Sequence, residues 1–250
     1  MASIPRMIFS AWLQSKDQAP ALVKLCFARW ERLNPGHRMV ILDMQAAQTA
    51  LAGLVLPPLP MQTFADILRI KLLLAHGGIW ADAALFPVLP LDKWLGPLTA
   101  ESGFFAFARP GPDRPISNWF FAATPGHPIL ARLWREILRF WAQPRRLVQY
   151  GGAVIPQDPV ASVAPGAPHD EFPYFWQHYL FQYLIETDFA FATAWAKCRQ
   201  IPAGPPHSLQ GFCAGPGPFT VDNIAAAARR APVQKLNWRA HYPMELLTRL

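Results

Sequence analysis

The chain has 250 residues, 52% of them hydrophobic and only 16% charged, with a formal net charge of +7. That length fits one domain spanning residues 1–250 with a sizeable core, and the composition excludes a disordered chain. No apolar run reaches the roughly 18 residues of a membrane span. The basic excess suits an anionic partner such as a nucleotide diphosphate or an anionic lipid. Lysine and arginine are scattered, with only short pairs such as Arg145-Arg146, so a nucleic-acid partner is not expected.

Cys26, Cys198 and Cys213 are odd in number, widely spaced and without metal-ligand spacing, which suits free thiols in a reducing cytoplasm. The N-terminus reads as a first strand, since its apolar run is too short for a secretory leader.

Met7 to Trp12 is an apolar run expected as a buried strand, and Pro20 opens a helix that Asn34-Pro35-Gly36 ends. Arg38 to Asp43 is a second strand and Gln45 to Leu54 a short helix. This alternation predicts an α/β fold with a mixed, mostly parallel central sheet flanked by helices, and a ligand crevice outside the carboxyl ends of its strands. Asp43 stands at such an end and suits either a ligand contact or a helix N-cap.

A helix is expected over 64–76. Thr63 and Asp66 match a capping box, and Asp66 and Arg69 have i,i+3 spacing for an ion pair, on a face shared with His76. Gly77-Gly78 is a stop and a tight reversal. Period-two alternation in the following strand puts Trp80, Asp82 and Ala84 on one face. A carboxylate in so apolar a strand needs a partner.

Phe104–Ala108 and Ser117–Ala123 read as two strands joined by an eight-residue loop, with Asn118 at the start of the second. A helix follows over 128–142. Residues 143–172 read as a long loop of the kind that serves as a binding loop or lid. Pro173 opens an aromatic helix to about Glu186, interrupted by the polar Gln177-His178. Residues 201–218 read as a second loop, Asp222 as the cap of a short helix, and Val233 to Trp238 as a last strand containing Lys235. The chain has no G-x-S-x-G, no P-loop, no H-E-x-x-H and no G-x-G-x-x-G, so hydrolase and dehydrogenase readings lack support.

The stretch FADILRIKLLLAHGGIWADAALFPVLPLD resembles the sugar-binding region with a DxD motif of glycosyltransferase family 32, A-D-x-x-R followed by L-x-x-x-G-G-x-Y-x-D-x-D. It is closer still to the capsular polysaccharide synthesis proteins, with IPRMIFSAWLQ, ISNWFFAATPGHPIL, YFWQHYLF and APVQKLNW resembling further blocks. The resemblance implies a GT-A-like, Rossmann-like fold and a bacterial transferase. Such an enzyme would move a sugar from a nucleotide-sugar donor to a polysaccharide or lipid-linked glycan acceptor. It would work in the cytoplasm, with peripheral contact at the inner membrane face as an extension.

By position, Asp66 and Arg69 resemble the pair that hydrogen-bonds the donor hexose, and Trp80 stands for an aromatic residue near the donor. Asp82 matches the first Asp of the motif and so would hold Mn²⁺ or Mg²⁺ on the diphosphate. Asn118 is a further donor-site candidate. Ala84 replaces the second Asp, which puts direct metal coordination in question. His178, Asp222 or an Asn would be replacement ligands, or the basic excess would offset phosphate charge without metal. No catalytic base or nucleophile stands out. Ala84 also motivates the alternative of a non-catalytic relative that binds a nucleotide-sugar or glycan.

Overall fold

The computed structural model describes residues 3–148, 156–167 and 170–250. The elements run β1 (Met7–Ala11), α1 (Ala21–Leu33), β2 (Arg38–Leu42), α2 (Met44–Ala50), α3 (Met61–His76), β3 (Gly78–Ala81) and β4 (Leu85–Pro87). They continue with α4 (Leu95–Thr99), β5 (Phe104–Gly111), β6 (Arg114–Ala123), α5 (Pro128–Phe140), β7 (Arg146–Val148) and β8 (Glu171–Pro173). The chain closes with α6 (Trp176–Thr187), α7 (Phe189–Ala196), α8 (Ser208–Cys213), α9 (Val221–Ala228), β9 (Val233–Lys235) and α10 (Met244–Leu247).

Five strands form the central sheet in the order β2-β1-β3-β6-β5. β1 pairs parallel with β2 and β3, and β6 pairs antiparallel with β3 and β5. Four strands therefore run one way and β6 alone opposes them, the mixed, mostly parallel α/β sheet expected from the sequence. From β1 the chain crosses to β2 on one side and then returns to β3 on the other. The crevice beyond the carboxyl ends of β1 and β3 is thus a topological switch point, where α/β sheets take ligands.

The reversal between α3 and β3 depends on two glycines. Gly77 caps α3 at φ 63°, and its amide donates to Leu73 O. Gly78 has φ 94°, and a Cβ there would meet the Met7 carbonyl oxygen at 2.7 Å, because β1 and β3 approach closely. Gly78→Ala is expected to destabilise the chain by at least about 2 kcal/mol, since left-handed strain and a backbone clash add. Gly53→Ala, at φ 85° with nothing within 4 Å of the new Cβ, carries the strain alone and should cost about 1 kcal/mol. Urea midpoints of the two variants check the difference.

Several local expectations are corrected. α3 begins at Met61 after Pro60, so Thr63 lies inside the helix and caps nothing; Met61 and Gln62 are good helix formers and extend it toward Pro60. The strand after Gly78 ends at Ala81, because Asp82 opens a turn closed by Leu85 N donating to Asp82 O at 2.8 Å. The eight-residue loop is mostly strand: β5 and β6 run to Gly111 and Arg114 around a two-residue turn, with irregular register beyond Ala106. α2 stops at Ala50.

The long loop contains β7 and β8, which pair parallel. Its residues 149–155 and 168–169 lie outside the described residues, and so does any lid they would form. Pro173 belongs to β8, and the aromatic helix starts at Trp176. α9 is capped by Thr220, whose Oγ1 accepts from Asn223 N, not by Asp222. The last strand pairs with β4 in a separate two-stranded ribbon and ends at Lys235. Asp43 is an N-cap, accepting from Ala46 N at 2.8 Å.

All three cysteines are free thiols. Burial pushes Cys26 up to about 12 and Cys198 up to about 11, which makes both poor nucleophiles. Among the described residues no helix is long and apolar enough to cross a membrane.

Candidate functional site

A cleft of about 740 Å³ opens at the switch point, within the range of ligand sites of about 300–1,000 Å³. Its floor is built by the end of β3 and the face of α3 that looks toward it. Because α3 is apolar over most of its surface, Asp66 and Arg69 form a polar stripe inside the protein, and each needs a partner there.

They find one another first. Arg69 Nη1 lies 2.8 Å from Asp66 Oδ1, the i,i+3 ion pair expected from the spacing. Arg69 Nη2 donates to Asp82 Oδ1 at 3.2 Å, and its guanidinium stands 5.2 Å from the Trp80 ring centre. Trp80 Nε1 donates to the same Asp82 oxygen at 2.9 Å. Alternation along β3 does put Trp80 and Asp82 on one face, and it breaks only at the turn. All four residues expected from the motif are therefore brought together.

Asn118, on β6, joins them. Its Nδ2 donates to Asp66 Oδ1 at 3.0 Å and to Gln177 Oε1 at 3.2 Å. Gln177 in turn donates to the Asp66 backbone carbonyl at 2.7 Å. His178 lines the same cleft, with Nδ1 buried and without a hydrogen-bond partner among the described residues. Burial, then the charges of Arg114 and Arg69, push its imidazole down to about 3, so it is neutral. Asp222 is exposed on α9 and His76 is exposed at the end of α3; neither lines the cleft.

Sequence reasoning placed Lys235 in a strand but did not place it in the site. Its Nζ donates to Asp82 Oδ2 at 2.9 Å. Lys235 is the single charge between Val233 and Leu236, where Val233, Gln234 and Leu236 are buried, but nothing local points from it to Asp82. Tyr174, Trp12 and Trp238 form aromatic walls, and Arg239, stacked 4.1 Å over Trp238, lies at the rim.

The two carboxylates differ in character. Burial raises Asp66 from the ordinary value of about 3.9 to about 6; the nearby Asp82 charge adds to this and Arg69 opposes it. Asp82 is held below its ordinary value: burial works against ionisation, but Lys235 and Arg69 outweigh it. Between these values the native chain keeps a proton on Asp66 that the unfolded chain releases, so Asp66's contribution to stability falls as pH rises toward 6. Asp82 acts in the opposite sense: its contribution is present above the ordinary carboxylate pKa and is lost on acidification.

Chemically, the cluster offers a carboxylate, a guanidinium and a carboxamide to a group rich in hydroxyls, with an ammonium beside them for an anion. Comparison with known proteins finds relatives that are named as glycosyltransferases. The Saccharomyces cerevisiae protein HOC1, which carries an inferred glycosyltransferase designation, is 26% identical over 166 residues, 57% of this chain and 41% of that one. The initiation-specific alpha-1,6-mannosyltransferase of Schizosaccharomyces pombe is 28% identical over 162 residues, 54% of this chain and 40% of that one. The chain thus spans about two fifths of the length of the curated relatives it matches. Among solved structures, PaToxG glycosyltransferase is 14% identical, covering 77% of this chain and 74% of that one with a TM-score of 0.44; a likeness that distant says nothing about the site. Residues 1–152, more than half of the chain and including β1 to β6, match the capsular polysaccharide synthesis proteins, and the chain belongs to that family.

Proposed function

We propose that the chain is a glycosyltransferase of GT-A-like fold that takes a sugar from a nucleotide-sugar donor and passes it to a glycan or lipid-linked acceptor in surface polysaccharide synthesis. The observation that carries this reading is the joining of Asp66, Arg69, Trp80, Asp82 and Asn118 at the floor of one cleft. Asp66 and Asn118 would read the hydroxyls of the hexose, Arg69 would fix both carboxylates, and Asp82 would order the groups that meet the diphosphate. The aromatic walls suit sugar and base rings. The mannosyl transfer named for the fission-yeast relative makes mannose the first sugar to try. The basic excess fits work beside anionic lipid at the cytoplasmic membrane face.

Incubating the chain with UDP-, GDP- and CMP-sugars and measuring release of the nucleotide, with and without candidate acceptors, tests the proposal. Turnover of one donor is expected; a folded chain that neither binds nor turns over any of them contradicts it. Ala84 favours a second reading, in which the chain binds a donor or glycan without turnover. Slow release of nucleotide that Asp82→Asn abolishes would reject that alternative.

The Asp66 proton gives a further expectation. Below about pH 6 the neutral carboxyl accepts hydrogen bonds from sugar hydroxyls less well. Affinity for a nucleotide-sugar, whose phosphates do not titrate there, should fall between pH 7 and pH 5 in calorimetry. In Asp66→Asn that slope should vanish.

A further inference from the structure

The family motif implies a divalent cation, yet the residues present do not suit one. Mg²⁺ and Mn²⁺ take about six oxygen ligands, including one or two carboxylates. The second acidic position of the motif is Ala84, buried at 4% exposure among Ala19, Val23 and Phe27, and its carbonyl oxygen accepts from Leu236 N. Asp82 Oδ1 already accepts from Arg69 and Trp80, and Oδ2 accepts from Lys235. Asp66 Oδ1 is taken by Arg69 and Asn118. His178 has Arg114 and Arg69 as charged neighbours, which outweigh the opposing Asp113 and make a poor setting for a further cation. Among the described residues no three His, Cys, Asp or Glu side chains are grouped to share a metal ion.

Lys235 sets a positive charge against Asp82 in the cleft, and the backbone holds it there. β9 pairs with β4 so that Lys235 faces Leu85, the residue that closes the turn from Asp82. The next residue, Leu236, is tied to Ala84 O at 3.0 Å. Trp30 Nε1 and Arg29 Nε bond the Leu85 and Pro87 carbonyls and anchor the ribbon to α1. The turn that carries the motif is therefore clamped to the strand that carries the lysine. An ammonium has three donors, and Asp82 uses one of them.

We propose that Lys235, oriented by Asp82 and assisted by the exposed Arg239, binds the donor diphosphate in place of a divalent cation, so that donor binding is independent of metal. This rests on the nucleotide-sugar reading given above. Asp66 and Asp82 balance Arg69 and Lys235 in the free protein. The incoming diphosphate would draw on the unused Lys235 protons and on Arg239, and Asp82 would stay bonded to the ammonium as its positioning residue.

Calorimetry with UDP, GDP and their sugars, in EDTA and in Mn²⁺, tests this on wild-type, Lys235→Met, Lys235→Arg and the pair Ala84→Asp with Lys235→Ala. Wild-type affinity should agree within about threefold between the two buffers. Lys235→Met should lose about 30-fold, as for loss of one charge-assisted hydrogen bond, while Lys235→Arg keeps most of the affinity. The double variant should bind only in Mn²⁺. Wild-type binding that requires Mn²⁺, or a folded Lys235→Met of unchanged affinity, overturns the inference and leaves the donor reading standing. No nucleotide bound in either buffer overturns both.

Discussion

Arg69→Met will lower the stability of the chain by about 3–5 kcal/mol, the cost of removing one partner from a buried ion pair. Arg69 has a side-chain exposure of only 5% and lies against two carboxylates, Asp66 at 2.8 Å and Asp82 at 3.2 Å. Methionine fills much of the volume but leaves both acids facing one another, with Lys235 as the cation remaining on Asp82. Asp66, already raised to about 6 with Arg69 present, would lose a favourable charge and take up its proton at still higher pH. The deficit should therefore shrink as pH falls from 7 to 5. Adding Asp66→Asn should recover part of it, because the carboxamide removes one of the stranded charges. Urea unfolding at both pH values checks the two statements. A single variant within about 0.5 kcal/mol of wild type would mean that Arg69 is not the keystone of the cluster.

Asp82→Asn should reduce donor turnover on the order of 100-fold, roughly what two lost charge-assisted hydrogen bonds of about 1.5 kcal/mol each remove. The carboxylate accepts from Arg69, Trp80 and Lys235 at once. An amide has one accepting oxygen, so its nitrogen faces either Lys235 or the Arg69–Trp80 pair, and the cation on the other side meets a neutral oxygen in place of a carboxylate. Lys235 and Arg69 would drift from the positions the carboxylate gives them. Stability should change far less than in Arg69→Met, since Asp82 is about a quarter exposed, at 23%, and Arg69 retains Asp66. Nucleotide release kinetics beside a thermal melt separate the two effects. Full turnover in a folded Asp82→Asn chain would remove this residue from the mechanism.

What the sequence disclosed follows the distance over which its rules act. Asp66, Arg69, Trp80 and Asp82 lie within seventeen consecutive positions on one helix and the strand behind it. Helical spacing fixes the first pair, strand alternation the second, and the Gly77-Gly78 reversal the relation between them. The five-strand sheet was legible through the β-α-β alternation of its first half. The capping box misled because Thr63 and Asp66 satisfy a local pattern while Pro60, three residues earlier, sets the actual start.

Lys235 could not be placed by any local rule. It meets Asp82 across 153 residues through a ribbon of two three-residue strands, too short for alternation to register. Gln177 reaches Asp66 across 111 residues, and Asn118 needs the antiparallel return of β6. Ala84, read from the sequence as the gap in a metal site, packs among Ala19, Val23 and Phe27 and also lines the cleft, beside the turn that Lys235's strand clamps.

The most direct measurement is a crystal structure of the chain with whichever nucleotide-sugar it binds most tightly. The hexose should lie within hydrogen-bond distance of Asp66 and Asn118, and the diphosphate beside Lys235, with both carboxylates still bonded to Arg69. A donor bound outside the cleft, or bound within it with its sugar away from Asp66 and Arg69, would contradict the assignment of this cluster as the donor site.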